Sequence, residues 1–208
     1  MFFNTLPAAA RTVFARLGKL SEVAQFYLAG GSSLALQLNH RISVDLDFFS
    51  PQEFDAESLS DRLKTIGALV IEQLGKGNLI GYLNKTHLSF FSYDYPLLTP
   101  TIEFEGVRLA SIEEIGIMKL IAIGQRGRRR DFIDLFFIVA EGFSVDHLLA
   151  KAPHKYRTVS YPSYHLLRAL TYFDDAEDDE MPQMLRPFNW ADAKKFFQSE
   201  AARLARQL

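Results

Sequence analysis

The chain has 208 residues, 48% hydrophobic and 23% charged, with a formal net charge of −2 and no cysteine. These values suit a globular protein with a substantial core and exclude disordered and coiled-coil chains. They also exclude a global basic field for nucleic acid, any disulfide, a cysteine nucleophile and thiolate zinc sites.

Met1 to Leu20 carries Arg11, Arg16 and Lys19 among apolar residues, so it reads as an amphipathic helix and not as a signal peptide. Phe26 to Ala29 is a short apolar run that stops at Gly30-Gly31, and Ser32 to Leu38 then has the character of a short helix. Val44 to Phe49 is the clearest strand, bounded by Ser50-Pro51. Asp55 to Ile66 has helical spacing, with Leu59, Leu63 and Ile66 on one side. Three strands are expected next, at Ala68 to Leu74, Leu79 to Leu83 and Thr86 to Phe91, joined by short polar links that favour antiparallel hairpins. Thr101 to Phe104 and Val107 to Leu109 suit a last hairpin. The pattern then turns helical. Ser111 and Glu114 have capping-box spacing, and helices are expected from there, over Arg130 to Ala140, Val145 to Ala150, Tyr161 to Phe173 and Trp190 to Gln207. Asp174 to Glu180, almost all carboxylates, reads as a solvated loop. The expected class is α+β: a mixed sheet with flanking helices over residues 1–110, then a helical half over 111–208. No apolar run reaches the roughly 18 residues that span a bilayer, so the expectation is a soluble, cytoplasmic chain with no membrane partner.

The chemistry points to two short segments. A strand period of two puts Asp45 and Asp47 on one face, with Leu46 and Phe48 directed into the core. Two carboxylates on an otherwise apolar strand are costly unless a cation lies between them, and hard oxygen ligands suit Mg²⁺ or Mn²⁺. Upstream, Gly30-Gly31-Ser32 sits between a strand and a helix. Glycines let the backbone approach a ligand, the helix N-terminus offers free N–H groups, and Ser32 adds a hydroxyl, which together make a phosphate cradle. Asp45-x-Asp47 alone also fits a solvated strand end or an ion pair with Arg41; the joint spacing with the glycine turn favours nucleotide chemistry.

The stretch from Leu28 to Phe49, LAGGSSLALQLNHRISVDLDFF, resembles the first motif of the AbiEii/AbiGii toxin family, in the polymerase β-like nucleotidyltransferase superfamily. Met118-Lys119-Leu120, Arg126-Gly127 and Asp131-Phe-Ile-Asp134-Leu135 resemble its second block. Met184-Leu185 and Trp190 to Phe197 resemble the tail of short members. The resemblance implies transfer of a nucleoside monophosphate from an NTP to a hydroxyl acceptor, an RNA such as a tRNA 3′ end or a protein side chain. It also implies a cognate antitoxin encoded nearby. It makes Asp45 and Asp47 the metal ligands and sets Gly30, Gly31 and Ser32 on the triphosphate. Lys119 and Asp131 join the catalytic set, with Arg126 and Asp134 at the bound nucleotide, and the helical region completes the active site. The bland alternatives are an exposed helix lysine at position 119 and an ion-pair network joining Asp131 and Asp134 to the arginines of Arg126-Gly127-Arg128-Arg129-Arg130.

One departure concerns the third carboxylate usual in the superfamily. Ser89 stands where it is expected, and His87 shares its face. This leaves a rival reading, a catalytically degenerate nucleotide-binding or interaction module of the same fold, and a third, a phosphotransferase of the aminoglycoside-modifying kind.

Overall fold

The computed structural model describes residues 1–159 and 161–206. The chain divides into two compact units, Met1–Ser111 and Ile112–Leu208. The expected α+β class is met: a seven-stranded mixed sheet with flanking helices, then a helical half.

The first unit opens with helix α1 (Ala8–Leu17), strand β1 (Tyr27–Ala29), helix α2 (Gly30–Leu38), strand β2 (Leu46–Ser50) and helix α3 (Ala56–Lys64). Strands β3 (Leu69–Gly75), β4 (Asn78–Leu83), β5 (Thr86–Ser92), β6 (Ile102–Phe104) and β7 (Val107–Leu109) follow. Their order across the sheet is β3-β4-β5-β2-β1-β7-β6. The hairpins expected from short polar links are present: β3–β4, β4–β5 and β6–β7 are antiparallel. Asn84 and Lys85 both have positive φ in the tight β4–β5 turn, the twist that matches two-residue hairpin loops. The parallel pairings β2–β5 and β1–β7 connect segments far apart in sequence. Asp55 caps α3, its carboxylate accepting from the N–H groups of Glu57 and Ser58.

One face of this sheet is core. Leu46 and Phe48 of β2, Leu88 and Phe90 of β5 and Leu79 and Leu83 of β4 are fully buried with Val13, Phe14 and Leu17 of α1 and Leu63 of α3. Phe48 stacks on Phe90 with ring centroids 4.8 Å apart. Alternation therefore sends Asp47, His87 and Ser89 to the other face, and Asp45 lies just before β2 begins.

The second unit contains helices α4 (Ile112–Gln125), α5 (Arg129–Ala140), α6 (Val145–Lys155), α7 (Ser163–Ala169), α8 (Asp174–Glu177) and α9 (Trp190–Ala205). Phe132 of α5 meets Phe173, Trp190 and Phe197, an aromatic centre supplied by three segments. Glu114, which capping-box spacing suggested for a helix end, is fully buried and pairs with fully buried Lys155 at 2.6 Å. Burial pushes the Lys155 ammonium pKa down against the opposing pull of Glu114.

Boundaries differ from expectation at several ends, and the strand expected over Val44 to Phe49 begins only at Leu46, so Asp45 precedes it. α6 continues through Pro153 to Lys155, and α7 ends at Ala169. α9 is helical to Ala205, and Gln207 lies outside the described residues. The acidic segment is not a free loop. It forms α8, and Asp179 just beyond accepts from the backbone N–H of Arg129 at 2.8 Å and from Arg128 at 2.8 Å. The acid supplies a cap to the start of α5 from 50 residues away, where a negative charge is favoured by the helix dipole.

Candidate active site

The register of β1 against β2 sets Ala29 opposite Asp47. The chain leaves β1 there and turns at Gly30, whose φ of +65° lies in the left-handed region. A Cβ on Gly30 would sit 3.4 Å from Oδ2 of Asp47. The next residue, Gly31, lies against the Arg41 guanidinium so closely that a Cβ there would collide with it, and it would also come within 3.1 Å of the Ser43 hydroxyl. Ser32 then donates its hydroxyl to the backbone carbonyl of Asp45. Two backbone features and one hydroxyl thus tie the glycine turn to both acids. The turn is also anchored from below: Ser33 Oγ and Gln37 Nε2 both donate to the carbonyl of Ala110, at 3.3 and 2.9 Å.

Asp47 stands in register with Ser89 on the parallel neighbour β5, and the Ser89 hydroxyl donates to Asp47 Oδ1 at 2.5 Å. Ser89 is 2% exposed. The position expected to hold a third acid therefore holds one carboxylate of the pair in place. One step toward the start of β5, His87 Nδ1 lies 3.5 Å from Asp45 Oδ1, and its Nε2 lies 3.7 Å from Glu72. Asp45 and Asp47 remain partly exposed. Gly30, Gly31, Ser32, Asp45 and Asp47 are thus brought together in the sheet unit.

Arg41 is a residue that sequence reasoning treated only as an ion-pair partner. It is 4% exposed, donates from Nη1 to the carbonyl of Ile42 at 3.1 Å, and lines the glycine turn. Its place in the spacer between the two motifs gave no periodic or spacing signal.

Lys119, Arg126, Asp131 and Asp134 are brought together in the helical unit. Lys119 Nζ lies 2.8 Å from Asp131 Oδ1 and 2.6 Å from Asp134 Oδ2, and both acids are fully buried. Arg126 Nε reaches Asp131 Oδ2 at 3.1 Å from a half-exposed side chain. Burial pushes the Asp131 carboxyl up, but the charges and hydrogen bonds of Lys119 and Arg126 outweigh it and hold the group below the usual carboxylate range. Two more arginines of the basic run pair within the unit: Arg128 with Asp179, and Arg129 with Glu177 with its guanidinium over the Trp190 ring. Among the described residues no group of three or more His, Asp or Glu side chains is arranged to hold a metal ion.

The family model described as nucleotidyl transferase AbiEii toxin, type IV toxin–antitoxin system, matches residues 12–96 and 88–204. An uncharacterized protein of Aquifex aeolicus is 35% identical over 177 residues, covering 83% of this chain and 84% of that protein. Solved structures share the fold, two of them as follows. MenT4, a nucleotidyltransferase toxin of Mycobacterium tuberculosis, superposes with a TM-score of 0.58 at 16% identity, covering 96% of this chain and 86% of its own. JHP933 from Helicobacter pylori gives a TM-score of 0.54 at 19% identity, covering 96% and 90%. The sheet, the glycine turn that closes on its acid pair, and a family match running nearly end to end lead to one assignment: the chain belongs to the AbiEii nucleotidyltransferase toxin family of the polymerase β-like superfamily.

Proposed function

We propose that the protein transfers a nucleoside monophosphate from an NTP to a hydroxyl of an RNA acceptor, on the sheet face that carries Asp45 and Asp47. The observation that supports this most strongly is the physical union of cradle and acids: Ser32 bonded to the Asp45 backbone and Gly30 packed on the Asp47 carboxylate. Gly30, Gly31 and Ser32 hold the triphosphate through backbone N–H groups at the start of α2, while the Ser32 hydroxyl, donated to the Asp45 carbonyl, fixes the turn. Buried Arg41 behind Gly31 adds positive potential to that cradle.

Asp45 and Asp47 present hard oxygen donors of the kind Mg²⁺ or Mn²⁺ takes, and the Ser89 hydroxyl fixes the orientation of one of them. Two carboxylates suit an ion that keeps waters and shares substrate phosphates instead of filling an all-protein cage. When bound there, the divalent ion neutralises charge on the phosphates. The acceptor oxygen forms a bond to the α-phosphorus. The bond to the bridging oxygen breaks, pyrophosphate leaves with the electron pair, and the hydroxyl proton passes to solvent.

In the helical unit Asp131 and Asp134 set the position of Lys119, and Arg126 contributes a second cation to that cluster. Cellular NTP and RNA pools make the cytoplasm the place of action, and a cognate antitoxin is the protein partner. No described helix is long and apolar enough to cross a membrane.

Incubating the protein with labelled NTPs, Mg²⁺ and total RNA tests the proposal. Asp45→Asn is expected to cut transfer at least about a hundredfold while melting unchanged. Growth inhibition on expression is expected to vanish with Asp45→Ala; toxicity that survives this change would count against a catalytic origin. Ser89 in the third-acid position favours a second reading, a module that binds nucleotide without transferring it. NTP binding without any labelled product would select that reading.

A further inference from the structure

An open cleft of about 480 Å³ lies in the sheet unit, where β2 and β5 begin. Its volume falls within the range of roughly 300–1,000 Å³ usual for small-molecule sites. Asp45 lines it, with Tyr82, Lys85, Thr86 and His87 from the β4–β5 hairpin and Ala9 from α1. We propose that this cleft seats the terminal nucleoside of the RNA acceptor, with its base stacked on Tyr82. The inference rests on the transferase reading above and names the acceptor's place within it.

Three observations carry it. Tyr82 pairs with His87 across the hairpin, and its ring is 39% exposed on the acid-bearing side. The two rings meet edge to face, 5.2 Å between centroids at 65°, so the tyrosine is braced and still has a free face for a base. Lys85 occupies a turn position with φ of +69°, where glycine is favoured and a side chain is held at some strain. That strain sets an ammonium at the lip of the cleft, suited to a backbone phosphate.

The order of the sheet decides between acceptor and NTP. The triphosphate cradle leads out of β1, on one side of β2, whereas the cleft belongs to β5 and β4, on the other. Displacement at the α-phosphorus runs in line, with the incoming oxygen opposite the departing pyrophosphate. With the triphosphate on the β1 side, the acceptor hydroxyl arrives from the β5 side, past Asp45.

The test uses the whole chain and a short RNA whose 3′-terminal base is 2-aminopurine. Binding without NTP is expected to quench that base. Tyr82→Ala should abolish the quench and Tyr82→Phe keep it, with melting temperatures unchanged. In turnover, Tyr82→Ala should raise the KM for RNA about tenfold, the scale of one lost base stack, and leave the KM for NTP unaltered. Lys85→Ala should raise the RNA KM more modestly and flatten its salt dependence.

A wild-type chain that labels RNA while Tyr82→Ala leaves the RNA KM untouched overturns the cleft assignment and spares the transferase reading. A rise in the NTP KM, or protein labelled in place of RNA, also overturns it. A chain that transfers nothing yet quenches the terminal base through Tyr82 defeats the transferase reading and upholds the base-binding cleft.

Discussion

Ser89 gives its hydroxyl to Asp47 from a position that is 2% exposed. Placing a third carboxylate there, Ser89→Asp, would bury a charge beside another of the same sign. The variant is expected to melt several degrees lower in EDTA, to recover in Mn²⁺, and to bind Mn²⁺ about tenfold more tightly, because ligand binding to the folded state alone restores stability. A thermal-shift titration with Mn²⁺ reads all three. Gly31→Ala would drive a methyl into the Arg41 guanidinium. NTP affinity is expected to drop about tenfold in equilibrium dialysis, of the order of one lost charge-assisted contact, while the sheet remains folded. Asp45, Asp47 and the glycine turn are local in sequence, so alternation and residue type exposed them. The bond from Ser89 and the approach of Arg41 were not legible, because both depend on strand register and chain return, which no local spacing encodes.

At the scale of elements, α4 and α5 are joined by Lys119 between two fully buried acids. Lys119→Met would leave Asp131 and Asp134 buried without that cation. It is expected to destabilise the helical unit by about 3–5 kcal/mol, measured by urea unfolding monitored through Trp190, which packs against Phe132 of α5. The same cluster has a pH signature. The Asp131 carboxyl is held below its unfolded value, so its contribution is complete above about pH 4 and is lost as pH falls through the lower folded value. Urea midpoints of wild type should therefore fall on acidification below about pH 4, and Asp131→Asn should flatten that fall. Hairpins and amphipathic helices were legible because period and turn chemistry are local. The acidic segment was misread as a loop because its partners, Arg128 and Arg129, lie about 50 residues upstream. α6 ran past its expected end because packing overrode the proline signal.

For the whole molecule, a net charge of −2 leaves RNA recognition to local features. The basic run Arg126 to Arg129 is largely committed to Asp131, Asp179 and Glu177. The affinity for RNA is accordingly expected to fall gently with salt, with a log–log slope of about −2 or shallower, where a broadly basic binder would fall steeply. The topology also sets when the protein can act. β1 is flanked by β7 in parallel, and the helix behind the glycine turn hangs on the carbonyl of Ala110, 77 residues beyond Ser33. Bringing such distant segments together carries a loop-closure cost that local contacts cannot meet first. A growing polypeptide on the ribosome thus carries the glycine turn and Asp45-x-Asp47 without that buttress until Ala110 has been added. Within the transferase reading, nucleotide transfer is expected only once the residues after position 110 have emerged and the turn is braced.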